Sequence, residues 1–303
     1  MLAEDRFYDN LFRRLPELPT AVRIPPGDDC AAVEHSPGLL TLYTVDQVAA
    51  DVHYDKNGEN PVHPGDIARK LLARNISDIA AMGGRALYCL ISVVQQSEKE
   101  EWLNAFFDGL SDYARRFGIA VIGGDIISAP DSENASLTLI GEIEAERACR
   151  RQGAESGDVL LATGYFGNSL TSGWHMTFEP RYNEGKWLAE QGFAKAMIDV
   201  SDGLLLDAFR LCTASQASLT LNLSSIPLRT SETTVRRGLT DGEDYELLFA
   251  VAPDKVKDLL RQWPFTTRVT EIGVFSSGLP PVIEDPQGNQ IAPADNIGYQ
   301  HLM

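Results

Sequence analysis

The alternation of apolar and polar positions predicts strands and helices in both halves of the chain. One helical pattern covers residues 63–82, where apolar side chains recur at about the 3.6-residue period of a helix and a glycine pair follows. Asp66, just after Pro64 and Gly65, is the predicted N-cap of this helix. A second amphipathic helix is predicted over residues 98–117 and a further helix over 204–215. Apolar runs predict strands at 39–45, 119–122, 159–163 and 247–251, and the continuous apolar run at 86–94 predicts a buried strand.

This order of elements predicts an α/β (α+β) fold with two domains. Polar residues and glycines cluster at 144–157. We place the boundary there, which gives an N-terminal mixed-sheet domain at 1–145 and a C-terminal α/β sandwich domain at 146–303. A chain of 303 residues is long enough for two domains of ordinary size.

The composition excludes several classes of partner. The net charge of −17 disfavours nucleic acid and anionic membrane surfaces, because both require a basic footprint. No apolar run is long enough to span a membrane, and the first residues lack the apolar stretch of a signal peptide, so a cytoplasmic location is expected. The four cysteines are far apart and show no zinc or redox spacing.

Acidic residues form the main candidate site. Asp78 lies at the edge of the apolar stripe of the 63–82 helix, where a carboxylate needs a partner. That partner could be a bound cation, or it could be Arg74 or another basic residue in an ordinary ion pair. The aspartates predicted at strand ends or glycine turns are Asp29, Asp46, Asp78, Asp125, Asp199 and Asp202. Turns favour aspartate for local hydrogen bonds, but magnesium ions also prefer carboxylate oxygens.

The sequence offers single candidate residues for phosphate binding rather than a known phosphate-binding motif. The P-loop and the kinase motifs are absent from the sequence. Gly123 and Gly124 would let a backbone approach a ligand closely, with Asp125 beside them to hold a metal ion. Arg150 and Arg151 could pair with a phosphate or be solvated surface charges. His53 follows the strand that carries Asp46 and could be structural or functional.

Six segments, taken in order, resemble the thiamine-monophosphate kinase family of the aminoimidazole ribonucleotide synthetase superfamily. They are residues 27–31, 44–46 with His53, 69–83, 123–125, 198–204 and 242–247. Each segment alone is weakly specific. Their order and spacing together are specific, and they cover the chain from about residue 5 to Tyr299.

The resemblance implies a homodimer with a shared N-terminal sheet and a cleft that holds ATP and several magnesium ions. The implied metal ligands are Asp29, Thr44, Asp46, Asp78, Asp125, Asp199 and Asp202. The implied nucleotide contacts are Gly123, Gly124, Arg151 and Ser201. The implied contacts to thiamine monophosphate are His53, Glu243 and Tyr299. The implied reaction is in-line phosphoryl transfer that yields thiamine diphosphate. It needs no general base, because the acceptor phosphate is already anionic.

Three departures from the family pattern leave alternatives open. Val45 stands where a hydroxyl residue is usual, Ile126 and Ile127 follow Asp125 where the family has threonines, and the segment 164–198 is short. One alternative is another ATP-using member of the superfamily with a different acceptor. The other is a degenerate paralogue that binds nucleotide without kinase activity.

Overall fold

The protein is described here by a computed structural model, which covers residues 11–12, 16–56, 61–96 and 100–291. The described strands form two six-stranded sheets, one from residues 22–144 and one from residues 159–284. This mixed arrangement of sheets and helices confirms the predicted fold class. The domain limits 1–145 and 146–303 stay a prediction. In the described part of the chain, no helix is long and apolar enough to cross a membrane.

The first sheet has the strand order β1-β2-β3-β6-β4-β5. Its strands are β1 (Val22–Ile24), β2 (Ala31–Ser36), β3 (Leu39–Ala49), β4 (Arg85–Gln95), β5 (Ala120–Ser128) and β6 (Asn134–Glu144). The pairs are antiparallel except β4 with the edge strand β5, which run parallel. β4 alternates between buried and exposed side chains along much of its length, so the prediction of a fully buried strand at 86–94 was wrong.

Two long helices, α1 (Pro64–Ala81) and α2 (Glu100–Phe117), pack together over one face of this sheet. The N-cap of α1 is His63, whose Nδ1 accepts a hydrogen bond from the amide of Gly65 at 3.1 Å. The prediction of Asp66 as the N-cap was therefore wrong, and Asp66 lies in the first turn instead. α1 ends before Gly83, which adopts the left-handed conformation (φ 72°) that suits glycine.

The second sheet has the strand order β12-β9-β11-β7-β10-β8. Its strands are β7 (Val159–Thr163), β8 (Ala196–Asp199), β9 (Ala217–Leu221), β10 (Leu247–Val251), β11 (Val269–Ser277) and β12 (Ile283–Glu284). The helices that accompany it are α3 (Trp174–Thr177), α4 (Tyr182–Gln191), α5 (Leu204–Ser215), α6 (Val235–Thr240) and α7 (Val256–Gln262).

Alternate residues of the second sheet enter two different apolar cores. Leu161 and Phe249 belong to the core that contains α1, α2 and the inner face of the first sheet. Leu160 and Leu248 point the other way and pack with α5. α1 is thus enclosed between the two sheets, and it contacts β3 and β6 on one side and β8 and α4 on the other. Carboxylates on α1 can therefore meet residues from both halves of the chain.

Two strands are longer than their sequence patterns predict. β3 continues to Ala49, so Asp46 lies within the strand rather than at its end. β5 continues to Ser128, so Gly123, Gly124 and Asp125 lie within an edge strand rather than in a turn after one. Gly124 lies so close to β4 that an added Cβ would lie 2.0 Å from the carbonyl oxygen of Ile91. This close approach explains the glycine without any ligand.

Candidate active site

Three aspartates from distant parts of the chain meet where the two sheets face α1. Asp29 lies in the turn before β2, Asp78 in the last turn of α1, and Asp199 at the end of β8. Each offers a carboxylate oxygen, and the three oxygens lie within 4.8 Å of one another. Asp29 and Asp199 are buried and Asp78 is partly buried. The structure brings these three carboxylates together in a geometry that could hold a metal ion, and their role as metal ligands stays a prediction.

Hydroxyl groups orient two of these carboxylates. The Thr44 hydroxyl donates a hydrogen bond to Asp78, and the Ser77 hydroxyl donates to Oδ2 of Asp199 at 2.6 Å. Oδ1 of Asp29 pairs with the Arg151 guanidinium at 2.7 Å. Oδ2 of Asp29 is buried and has no hydrogen-bond partner among the described residues. A buried oxygen without a partner is a costly arrangement that a cation would relieve.

The electrostatics of the cluster also favour a cation. Burial, together with the charges of Asp46, Asp199 and Asp29, raises the pKa of Asp78 well above its usual range. Burial and the charge of Asp29 likewise raise the pKa of Asp199. These shifts mean that the chain's own positive groups do not fully balance the carboxylates. Hard divalent cations such as magnesium prefer this type of donor set.

A cavity of about 240 Å³ opens beside the cluster. Both halves of the chain line it, and its wall includes seven of the predicted site residues. These are Asp46, His53, Asp78, Asp199, Ser201, Asp202 and Glu243. These seven residues are thus brought together at one cavity, and their roles toward metal, nucleotide and acceptor stay predictions.

The outer aspartates already have arginine partners. Asp46 pairs with Arg74 at 3.0 Å, and Asp202 pairs with Arg210 at 2.6 Å. The Arg74 guanidinium donates hydrogen bonds to Asp46 and to the carbonyl oxygen of Gln47 rather than to Asp78. Arg74 is therefore not the ion-pair partner of Asp78 that the sequence left open. To bind a metal ion, Asp46 and Asp202 would have to give up these ion pairs or bind the metal through an oxygen that the arginine does not use.

Two residues of the cavity wall, His53 and Glu243, are held by neighbouring groups. Nδ1 of His53 accepts a hydrogen bond from the amide of Ala49 at 3.1 Å. Glu243 has a left-handed backbone (φ 62°), and its carboxylate lies 2.9 Å from the ammonium of Lys70. A conformation that is unfavourable for a residue with a Cβ is often found where a side chain must point into a site.

Some predicted residues lie away from this cavity. Asp125 pairs in register with Ser92 on β4, beside the pair formed by Gly123 and Leu90, on the exposed face of the first sheet. Gly124 lines a shallow depression at the edge strand. Within one chain, the structure does not bring Asp125 or the glycines to the acidic cluster. Tyr299 lies outside the described residues.

Two buried charges near the site were missed from the sequence. Asp207 is fully buried in α5, where it bonds with Arg210 at 2.7 Å and accepts from the amide of Asp202 at 3.1 Å. Lys70 is fully buried in α1. A signal was present for Lys70, because it lies three residues after Ile67 and next to Leu71, on the apolar side of the helix.

Comparison with known proteins gives a consistent family assignment. The family model described as "AIR synthase related protein, N-terminal domain" matches residues 27–143. The thiamine-monophosphate kinase of Rhodopirellula baltica is 30% identical over 278 residues, which cover 86% of this chain and 84% of that relative.

Solved structures show the same fold. The crystal structure of thiamine-monophosphate kinase from Stenotrophomonas maltophilia has a TM-score of 0.73 and 27% identity, with 95% of this chain and 98% of that chain covered. The structure of AaThiL complexed with AMPPCP and TMP has a TM-score of 0.81 over 99% of each chain. Its identity is 24%, and this likeness shows a shared fold.

Proposed function

This chain belongs to the thiamine-monophosphate kinase family, and from that membership we propose that it transfers the γ-phosphoryl group of ATP to thiamine monophosphate, with thiamine diphosphate as the product. The observation that carries the proposal is the acidic cluster of Asp29, Asp78 and Asp199, whose oxygens lie within 4.8 Å of one another beside the cavity. The AaThiL relative in the same fold was solved with AMPPCP, an ATP analogue, and TMP.

Magnesium is proposed as the metal, because hard cations prefer the oxygen donors that the cluster supplies. Asp29, Asp78 and Asp199 would hold it, and the buried Oδ2 of Asp29, which has no hydrogen-bond partner among the described residues, supports this fit. When bound, magnesium neutralises charge on the phosphate groups during transfer. Thr44 and Ser77 hold the carboxylates in place through their hydroxyl groups. Asp46 and Asp202 remain proposed ligands at the rim.

Different residues would contact the two substrates. We assign Ser201, which lies next to Asp202 in the cavity wall, to the nucleotide together with Arg151. His53 and Glu243, which both contact Lys70, are assigned to the acceptor, with Tyr299 as a further predicted contact. The acceptor phosphate is an anionic nucleophile, so the chain's task is to bring two anions together rather than to remove a proton.

We also propose a homodimer. Val45 and Leu90 lie in register on the open face of the first sheet and are 63% and 41% exposed. β5 is an edge strand next to this face, and Ile127 on it is also exposed. An exposed apolar face beside an unpaired strand edge is a typical subunit interface. Gly123 and Asp125 lie on the same surface, so their predicted roles depend on the second copy. The cytoplasmic location stays a prediction.

The proposal is tested by incubating the purified protein with magnesium, ATP and thiamine monophosphate, with thiamine diphosphate and ADP measured separately. Equal amounts of both products are expected. Unphosphorylated thiamine serves as the matched acceptor control and should give no product. ADP without thiamine diphosphate would indicate a different acceptor. Binding of ATP without any turnover would support the degenerate-paralogue alternative and contradict the proposal.

A further inference from the structure

Lys70 lies near the middle of α1 with its side chain fully buried. Lysine is almost never fully buried unless its charge is paired. The Nζ atom lies 2.8 Å from the carbonyl oxygen of His53 and 2.9 Å from each carboxylate oxygen of Glu243. An ammonium group has three N–H donors, so these three acceptors can satisfy it completely. Lys70 thus ties two separate segments of the chain to one helix.

Both of those segments contribute to the wall of the cavity. His53 belongs to the segment after β3, in the N-terminal half, and Glu243 belongs to the segment before β10. Both residues line the cavity of about 240 Å³, whereas Lys70 does not. Lys70 can therefore affect a bound acceptor only through the residues that it holds.

The Glu243 segment needs such support. Glu243 and Tyr245 both have left-handed backbone conformations, with φ of 62° and 51°. Residues with a Cβ adopt this conformation at a cost, so the surrounding contacts must maintain it. The carboxylate of Glu243 is held by the Lys70 ammonium at 2.9 Å and by the Tyr245 hydroxyl at 3.5 Å. The shorter and charged contact is the one to Lys70, and it should dominate the orientation of Glu243.

We propose that Lys70 is a positioning residue. It fixes the segments that carry His53 and Glu243 relative to each other and thereby sets the affinity for the phosphate acceptor. This inference rests on the proposed function, because His53 and Glu243 are acceptor contacts only in that reaction. Burial lowers the pKa of Lys70 to about 8, and the Glu243 carboxylate opposes this shift. The protein thus keeps a cation buried, at some cost, where an apolar side chain would fill the same space.

The first test replaces the ammonium while keeping the length of the side chain. Lys70→Met should raise the KM for thiamine monophosphate at least tenfold at pH 7 and leave the KM for ATP within twofold. The matched control is Lys195→Met, which breaks the ion pairs of Lys195 with Glu155 and Asp158 away from the cavity. The control should leave both KM values within twofold. Unchanged KM values in Lys70→Met, or equal rises for both substrates, would overturn the inference.

A double variant separates positioning from direct action. If Lys70 acts through Glu243, adding Lys70→Met to Glu243→Gln should raise the acceptor KM less than threefold beyond Glu243→Gln alone. A further tenfold rise would show that Lys70 acts independently and would contradict the inference. The double variant leaves neither charge buried without its partner, so it also provides the test if Lys70→Met alone is too unstable to assay.

Hydrogen exchange gives a readout that does not depend on turnover. In Lys70→Met, backbone amides at 51–55 and 242–246 should exchange at least tenfold faster, with β10 unchanged. Unchanged exchange in both segments would overturn the positioning inference whatever the enzyme does. Failure of the wild-type protein to form thiamine diphosphate, with the expected exchange, would instead refute only the proposed function and its acceptor.

Discussion

At the scale of single residues, the site is a group of carboxylates with too few positive partners. Asp29 pairs with Arg151, whereas the recorded side-chain partners of Asp78 and Asp199 are the neutral hydroxyls of Thr44 and Ser77. Neutral donors orient a carboxylate without balancing its charge. The three side chains therefore repel one another in the absence of a cation, and this repulsion lowers the stability of the folded protein.

Asp78→Asn tests this conclusion directly. The substitution removes one charge but keeps the shape, so ATP turnover should fall at least a hundredfold while the fold is retained. Without divalent cations, the melting temperature should be equal to or higher than that of the wild type, because a repulsive charge is gone. Melting curves in a chelator and in magnesium, together with an ADP assay, provide the measurement.

Asp108→Asn on the exposed side of α2 is the matched control for that experiment and should change neither quantity. Magnesium should raise the melting temperature of the wild type and of Asp108→Asn, and should have a smaller effect on Asp78→Asn. If Asp78→Asn turns over ATP at the wild-type rate, Asp78 is a structural residue and the cluster is not the phosphate site.

The buried lysine predicts a pH dependence of acceptor binding. The titratable and charged groups around it are Glu243, His175, Arg69 and Arg74. Burial lowers the pKa of Lys70 from its ordinary 10.5 to about 8, so above pH 8 the ammonium is progressively lost in the folded protein. The ratio kcat/KM for thiamine monophosphate should therefore fall above pH 8, and Lys70→Met should lack this decrease.

Stability should change in the opposite direction over the same range. Between pH 8 and 10.5 the unfolded chain holds more protons at Lys70 than the folded chain does. The free energy of unfolding of the wild type should therefore rise with pH relative to Lys70→Met in this window. Urea titrations at several pH values measure it. If the free energy of unfolding of the wild type instead fell with pH relative to Lys70→Met, the folded protein would hold the Lys70 proton more tightly than the unfolded chain.

At the scale of elements, α1 packs between the two sheets, and its backbone closely approaches that of α4. An added Cβ on Gly185 would lie 2.1 Å from the carbonyl oxygen of Ala80. Glycine is here required by the approach of two helices, since Gly185 lies within α4 and its backbone is not left-handed. The crossing aligns the acidic end of α1 with the second sheet.

Gly185→Ala should therefore lower stability, although alanine favours a helix by about 1 kcal/mol. Overpacking of a close helix crossing costs about 1–3 kcal/mol, so the net change in the free energy of unfolding should be destabilising. Thermal or urea unfolding measures it, and Asn183→Ala on the exposed side of the same helix is the control. A stabilised Gly185→Ala would mean that α1 and α4 can separate without penalty.

How far the sequence predicts these elements depends on how local their signals are. The strand at 159–163, the helix at 204–215 and the strand at 247–251 were predicted with the bounds that the structure has. Their apolar periodicity lies within the element itself. The continuation of β5 through Gly123 and Gly124 was missed, because paired glycines are typical of turns and only the neighbouring β4 explains them.

The acidic cluster could be predicted, but its internal pairing could not. Family-like motifs placed Asp29, Asp78 and Asp199 in one site. In contrast, the pairing of Lys70 with Glu243 joins residues 173 positions apart, and nothing in either local pattern indicates it. Contacts of this kind depend on how two sheets enclose one helix, which is a property of the tertiary structure.

At the scale of the whole molecule, the open face of the first sheet exposes apolar side chains that nothing within one described chain covers. Val45, Tyr88, Leu90 and Ile127 are each more than two-fifths exposed on it or at its edge. Scattered exposed apolar residues are normal, but an in-register set on one sheet face indicates an interface. Because symmetric dimers use the same patch twice, one substitution enters such an interface in two copies.

Leu90→Glu should for this reason convert a dimer into monomers. Burying an uncompensated carboxylate costs roughly 2 kcal/mol or more per copy, so two copies should weaken dimerisation about 1,000-fold. Light scattering of the wild type at micromolar concentration should give twice the mass of one chain, and Leu90→Glu should give the monomer mass.

The matched control is Val274→Glu, because Val274 is exposed to a similar extent (46%, against 41% for Leu90) but lies on β11 of the second sheet. Val274→Glu should stay dimeric. A wild type that is monomeric at this concentration would contradict the homodimer, and dissociation by both variants would place the interface elsewhere. If Leu90→Glu is monomeric and also inactive, with Asp125 on the same surface, the second copy is needed to complete the site.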